Sequence, residues 1–190
     1  IPDMLWFGQS HSTAEPSLSA QVSALQLAIE ELGWSKLDLI GVSYGGFVGL
    51  ALSIQAPNLI DDLVLLDSPG GTFDEKQIPE MEKRLGVEAL GDFFVPENPQ
   101  ELQSLIDLCF YNPRPPLPSF ILEETYDISF SRFHDEKRQL LTELPGNREW
   151  FDSYKGQWPR TLVLWGEHDP VFPVSLASNL AAEMNAELYI

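Results

Sequence analysis

Two rhythms of hydrophobic residues alternate along the chain. Between Ala20 and Leu32 the apolar positions Val22, Leu25, Leu27, Ala28, Ile29 and Leu32 recur at helical spacing, which predicts an amphipathic helix capped by Ser19 and ended by Gly33. Leu37, Leu39, Ile40 and Val42 then make a short apolar run suited to a buried strand. That run halts at Ser43, and small and apolar residues at helical spacing follow at once, stopping near Ala56 before Pro57. Asp62 to Asp67 is a second short apolar run, ending in the turn Ser68-Pro69-Gly70-Gly71. Upstream, Ile1 to Ser10 reads as the tail of a strand followed by a loop.

Helix, strand, helix, strand, with the strands apolar throughout, is the signature of a parallel sheet covered on both faces, and so of an α/β fold. The alternation breaks from Thr72 to Pro159, where helical stretches are predicted around Glu75–Leu85, Val87–Phe94, Pro99–Phe110, Pro118–Tyr126, Phe133–Leu144 and Trp150–Tyr154. It resumes with a strand at Thr161–Trp165, a helix from Ser175 to Met184 and the start of a strand at Glu187. The expected organisation is a core of residues 1–71 and 159–190, with residues 72–158 inserted as a helical cap or lid.

The sharpest local feature is the junction Gly41-Val42-Ser43-Tyr44-Gly45, a G-x-S-x-G sequence between a predicted strand and a predicted helix. A serine raised on such a turn needs neighbours without side chains. Gly41 and Gly45 are expected to remove those clashes, with Gly46 adding slack. The helix that follows points its N-terminal amides at the serine, so that the Tyr44 N–H can stabilise an oxyanion.

Composition narrows the partners. The chain carries 29 acidic and 11 basic residues, a formal charge of −18, and a surface of that sign repels phosphate backbones and anionic headgroups; nucleic acid is excluded as an expected partner. Cys109 is the only cysteine, so no internal disulfide can form, and no Cys/His cluster suggests a metal or other cofactor. No apolar run is long enough to predict a transmembrane segment, and the start lacks the basic region of a signal peptide. The compartment stays undetermined.

A serine hydroxyl needs a base, usually a histidine oriented by a carboxylate. In a strand–elbow–helix architecture the acid belongs in a loop after a later parallel strand, and Asp169 holds that place within Gly166-Glu167-His168-Asp169-Pro170. Asp67 is the rival, because it also ends a strand. None of the three histidines follows Asp169: His168 adjoins it, His134 lies in the helical insertion, and His11 precedes the serine, so all three read as solvent-facing.

Three stretches together resemble the α/β-hydrolase fold superfamily: Gly41-Val42-Ser43-Tyr44-Gly45-Gly46, the Asp3-Met4-Leu5-Trp6-Phe7-Gly8-Gln9-Ser10 segment, and Trp165-Gly166-Glu167-His168-Asp169-Pro170-Val171-Phe172-Pro173. Within it, the segments from Asn98 to Tyr111 and from Pro118 to Leu122 are similar to the cap of monoacylglycerol-lipase-type esterases. The resemblance implies Ser43 as nucleophile, Tyr44 N–H as an oxyanion donor and Asp169 as triad acid. It places a His-Gly motif before Ile1 and the catalytic histidine beyond Ile190, as in a fragment. The implied substrate is a small-molecule ester or lipid, with Phe93, Phe94, Leu105, Leu108, Phe110, Phe120 and Ile121 available to line an acyl pocket. A carbon–carbon bond hydrolase or a non-catalytic ligand-binding member are the alternatives.

Overall fold

A computed structural model describes residues 1–154 and 156–190. Four parallel strands, β1 (Leu37–Val42), β2 (Ile60–Leu66), β3 (Arg160–Leu164) and β4 (Glu187–Tyr189), lie side by side in sequence order. Helix α1 (Leu18–Glu31) precedes β1, α2 (Tyr44–Gln55) joins β1 to β2, and α9 (Val174–Met184) joins β3 to β4. Between β2 and β3 the chain is helical: α3 (Ile78–Leu85), α4 (Leu90–Phe94), α5 (Pro99–Leu108), α6 (Ser119–Ser129), α7 (His134–Glu143) and α8 (Arg148–Asp152).

Helix α2 is the centre of the core. Every residue from Gly46 to Ile54 is buried, which is why its sequence shows no polar stripe. Phe47, Leu50 and Leu52 belong to one buried cluster with Leu63 and Leu65 of β2, Val163 of β3, and Leu176 and Leu180 of α9. Burying each of these side chains contributes about 1.5–3 kcal/mol.

Several expectations change. Ser17, not Ser19, caps α1, its hydroxyl accepting from Ala20 N at 3.1 Å. The earlier start lets Leu18 enter the core, while Leu27 and Leu32 stay exposed. Residues 1–10 form turns rather than the end of a strand: Phe7 N donates to Met4 O, Ser10 N to Phe7 O and Trp6 N to Ser10 O. The sheet is well covered on one face only. Leu63, Leu65, Val163 and Trp165 are buried, but on the opposite face Ile40 is 71% and Val42 52% exposed, so β1 is not the buried strand its apolar run suggests. The helices that pack on the strands, α2 and α9, join one core cluster with α1, which packs against α2, and that cluster takes the Leu63/Val163 side.

Candidate active site

Ser43 stands at the carboxyl end of β1 with φ 48° and ψ −119°, a conformation that costs an L-residue about 1–3 kcal/mol and persists only where surrounding structure imposes it. Two bonds impose it here: Ser43 N donates to Leu66 O (2.9 Å), and Gly46 N donates to Ser43 O (2.9 Å). A Cβ at Gly41 would lie 2.6 Å from Gly45 O and Gly46 Cα, and one at Gly46 would lie 2.4 Å from Cβ of Ser68. A Cβ at Gly45 would meet nothing within 4 Å. The close approaches therefore fall on Gly41 and Gly46; Gly45, expected to relieve a clash, relieves none. The Ser43 side chain faces solvent, and Tyr44 heads α2, where an amide has no carbonyl four residues back to serve.

The strand ends line up. Asp67 N donates to Leu164 O (3.0 Å) and Trp165 N to Tyr189 O (2.9 Å), extending the ladder one residue past β2 and β3 just as Ser43 N does past β1. Ser43 and the loop after β3 therefore stand two strand spacings apart, about 10 Å. That gap suits an imidazole hydrogen-bonded at both nitrogens.

Asp169 lies in this loop, half-buried, and its Oδ1 accepts from Val171 N (2.7 Å) and Phe172 N (3.0 Å). Burial pushes its carboxyl above the ordinary value; those two amides oppose the shift, Asp67 adds to it and Arg84 subtracts. Asp67, the rival acid, is engaged otherwise: its Oδ1 accepts from Gly166 N at 2.7 Å, and its φ is 46°. It ties the end of β2 to the Asp169 loop.

No histidine hydrogen-bonds to Ser43 or Asp169 among the described residues. His168 is exposed and stacks on Tyr111 with ring centroids 4.0 Å apart. His11 is exposed, near Gln9 O at 3.5 Å. His134 opens α7; its Nε2 is buried, contrary to the solvent-facing expectation.

Three residues that pattern alone did not single out shape the surroundings. Gln21, 1% exposed on the apolar face of α1, accepts from Leu5 N and donates to Leu5 O, both at 2.9 Å, and so pins the loop that lays Phe7 against Tyr44 (ring centroids 5.8 Å). A polar residue beside Leu18 and Val22 was the available signal. Lys137, 2% exposed, donates to Ser129 O (2.8 Å) and Arg132 O (2.7 Å) and lies over Phe7 and Phe130; burial lowers its pKa to about 8. Arg84 of α3 reaches the carbonyls of Pro170 and Val171.

The expected acyl-pocket residues are scattered. Phe110, Phe120 and Ile121 are exposed, and Phe93 alone of the set lines either of two described cavities, about 590 Å³ with Val87 and Asp92, and about 530 Å³ with Phe133 and His134. Neither cavity is lined by Ser43 or Asp169. The chain after α5 does reach the acid loop: Tyr111 stacks there, and the Cys109 thiol, raised in pKa chiefly by burial, feels Asp169, Asp67 and Arg114. Among the described residues no group of three or more His, Cys, Asp or Glu side chains is placed to hold a metal, and no helix is long and apolar enough to cross a membrane.

Known proteins are similar to this chain in sequence and in fold. The chain is 28% identical over 95% of its length to the 2-hydroxymuconate semialdehyde hydrolase of Pseudomonas sp. (strain CF600), of which it spans 62%. It spans roughly two-thirds of the length of the curated relatives that match most of it. Lipase LipV of Mycobacterium tuberculosis is 34% identical over 42% of the chain and 30% of the lipase. Among solved structures, the esterase EaEST of Exiguobacterium antarcticum matches with a TM-score of 0.75 at 16% identity, over 98% of this chain and 69% of that one. The meta-cleavage product hydrolase of Pseudomonas fluorescens IP01 matches with 0.74 at 18% identity, over 98% and 68%. A family model described as alpha/beta hydrolase fold matches residues 1–190, and the chain belongs to that family.

Proposed function

We propose that this chain supplies the nucleophile and the acid of a serine hydrolase that cleaves a carboxylic ester, with residues 72–158 forming a lid over the site. The observation that carries the reading is the backbone of Ser43, forced to φ 48° at a strand end in line with Asp67 and the Asp169 loop. In the reaction Ser43 Oγ bonds to the ester carbonyl carbon while its proton passes to a histidine supplied from outside residues 1–190, and Asp169 orients that imidazole. The carbonyl oxygen takes up the charge against the Tyr44 N–H and the positive end of α2. Collapse expels the alcohol, which takes the proton from the imidazolium, and water then releases the acid from Ser43.

A second reading, cleavage of a carbon–carbon bond beside a ketone, has its own support. Curated relatives matching most of the chain are named 2-hydroxymuconate semialdehyde hydrolase, and a solved structure of similar fold is named a meta-cleavage product hydrolase. Arg114 also keeps buried Nε and Nη2 atoms without hydrogen-bond partners, its nearest carboxylate being Asp107 at 3.8 Å. Those unspent donors suit a substrate carboxylate.

Turnover of the full-length polypeptide on p-nitrophenyl esters of two to twelve carbons, beside 2-hydroxymuconate semialdehyde, separates the readings. The first predicts ester turnover at least about a hundredfold faster in kcat/KM, near 2.7 kcal/mol of transition-state preference; the reverse ratio replaces it with the second.

A further inference from the structure

Arg84 lies on α3, 86 residues before the loop it touches, and its guanidinium donates from Nε to Pro170 O at 2.8 Å and from Nη2 to Val171 O. Those carbonyls belong to the two peptide units whose other ends hold the acid. The Pro170–Val171 unit gives its N–H to Asp169 Oδ1 at 2.7 Å, and the Val171–Phe172 unit gives its N–H to the same oxygen at 3.0 Å. In a trans peptide the carbonyl and the N–H point in opposite directions. The guanidinium and the carboxylate therefore grip the same two peptide planes from opposite sides. A cation on each carbonyl polarises the unit and strengthens the bond its N–H donates. A rigid guanidinium fork on successive carbonyls also fixes their relative orientation, which a single ammonium cannot.

The rest of the loop is held from the core: Gly166 N by Asp67, and Phe172 O by Trp165 Nε1 at 2.9 Å. Arg84 grips its middle from the helices between β2 and β3. Among the described residues, Asp67, Arg84 and Cys109 are the titratable or charged groups that interact with Asp169.

We propose that Arg84 is a positioning residue, which acts through these two peptide units to orient the Asp169 carboxylate. The proposal rests on the reading of Asp169 as the acid. Arg84 is exposed and spans no core layer, so its replacement leaves the fold standing.

The test compares wild type, Arg84→Met and Arg84→Lys of the full-length polypeptide in ester hydrolysis and in amide hydrogen exchange. Arg84→Met is expected to lower kcat about tenfold, with KM within about twofold, as for misplacement of a catalytic group without loss of substrate binding. Exchange at Val171 and Phe172 should quicken at an unchanged melting temperature, and Arg84→Lys should recover part of both losses. Wild-type kcat and wild-type exchange in Arg84→Met overturn the proposal. A wild type that neither turns over esters nor takes a fluorophosphonate at Ser43 overturns the catalytic reading instead, while the exchange comparison still decides whether Arg84 holds the loop.

Discussion

At the scale of single residues, the elbow was legible because its requirement is local. A serine between glycines at a strand–helix junction shows in five letters, and Asp169 follows from counting strands and loops. The division of labour among the glycines was not legible, since it depends on what approaches each from elsewhere: Gly45 O and Gly46 Cα meet Gly41, Ser68 meets Gly46, and nothing meets Gly45. Two substitutions separate these cases. Gly41→Ala puts a methyl against backbone that cannot step aside, and should lower the urea-unfolding free energy by more than about 2 kcal/mol. Gly45→Ala, in the first turn of α2 with open space around it, should leave stability unchanged or raise it by up to about 1 kcal/mol. Equal losses would mean that the elbow is crowded on both sides. Gln21 and Arg84 escaped the sequence for the same reason: their partners, Leu5 and the Pro170–Val171 carbonyls, are 16 and 86–87 residues away.

At the scale of elements, hydrophobic rhythm placed each strand and helix of the sheet within a few residues, because packing against one neighbouring layer sets that rhythm. It failed at the margin of α1, where burial of Leu18 decided between two serine caps, and on β1, where Ile40 and Val42 suit a covered face that the packed helices of this chain do not cover. Helix α7 carries a titration that can be measured. Lys137 is buried between two carbonyls and the rings of Phe7 and Phe130, and its pKa is lowered to about 8 from an unfolded value near 10.4. The folded state thus disfavours the charged form. The associated stabilisation is complete above the unfolded pKa and is lost as pH falls through about 8. Relative to Lys137→Met, the wild-type melting temperature should rise between pH 7 and pH 10. A difference that stays flat would mean that the two carbonyls compensate the buried charge in full.

For the whole molecule, the net charge of −18 outweighs the ion pairs that cross it. Arg160 with Asp62, and Arg138 with Asp92 and Glu97, are exposed pairs, each worth little. Self-repulsion among 29 carboxylates acts over the Debye length, which falls from about 30 Å at 0.01 M salt to about 8 Å at 0.15 M. The urea midpoint should therefore rise over that interval; a fall would assign the larger share to the ion pairs. Around Asp169 the charges are balanced locally: burial and Asp67 raise its half-buried carboxyl, and Arg84 opposes them.

Ser43 carries the proposed chemistry. Treating the full-length polypeptide with a fluorophosphonate, then measuring intact mass and mapping the modified peptide, tests it most directly. One adduct per chain on the peptide that contains Ser43, absent from Ser43→Ala, is the predicted result. An unmodified wild type, or an adduct that survives Ser43→Ala, would contradict the assignment of Ser43 as nucleophile.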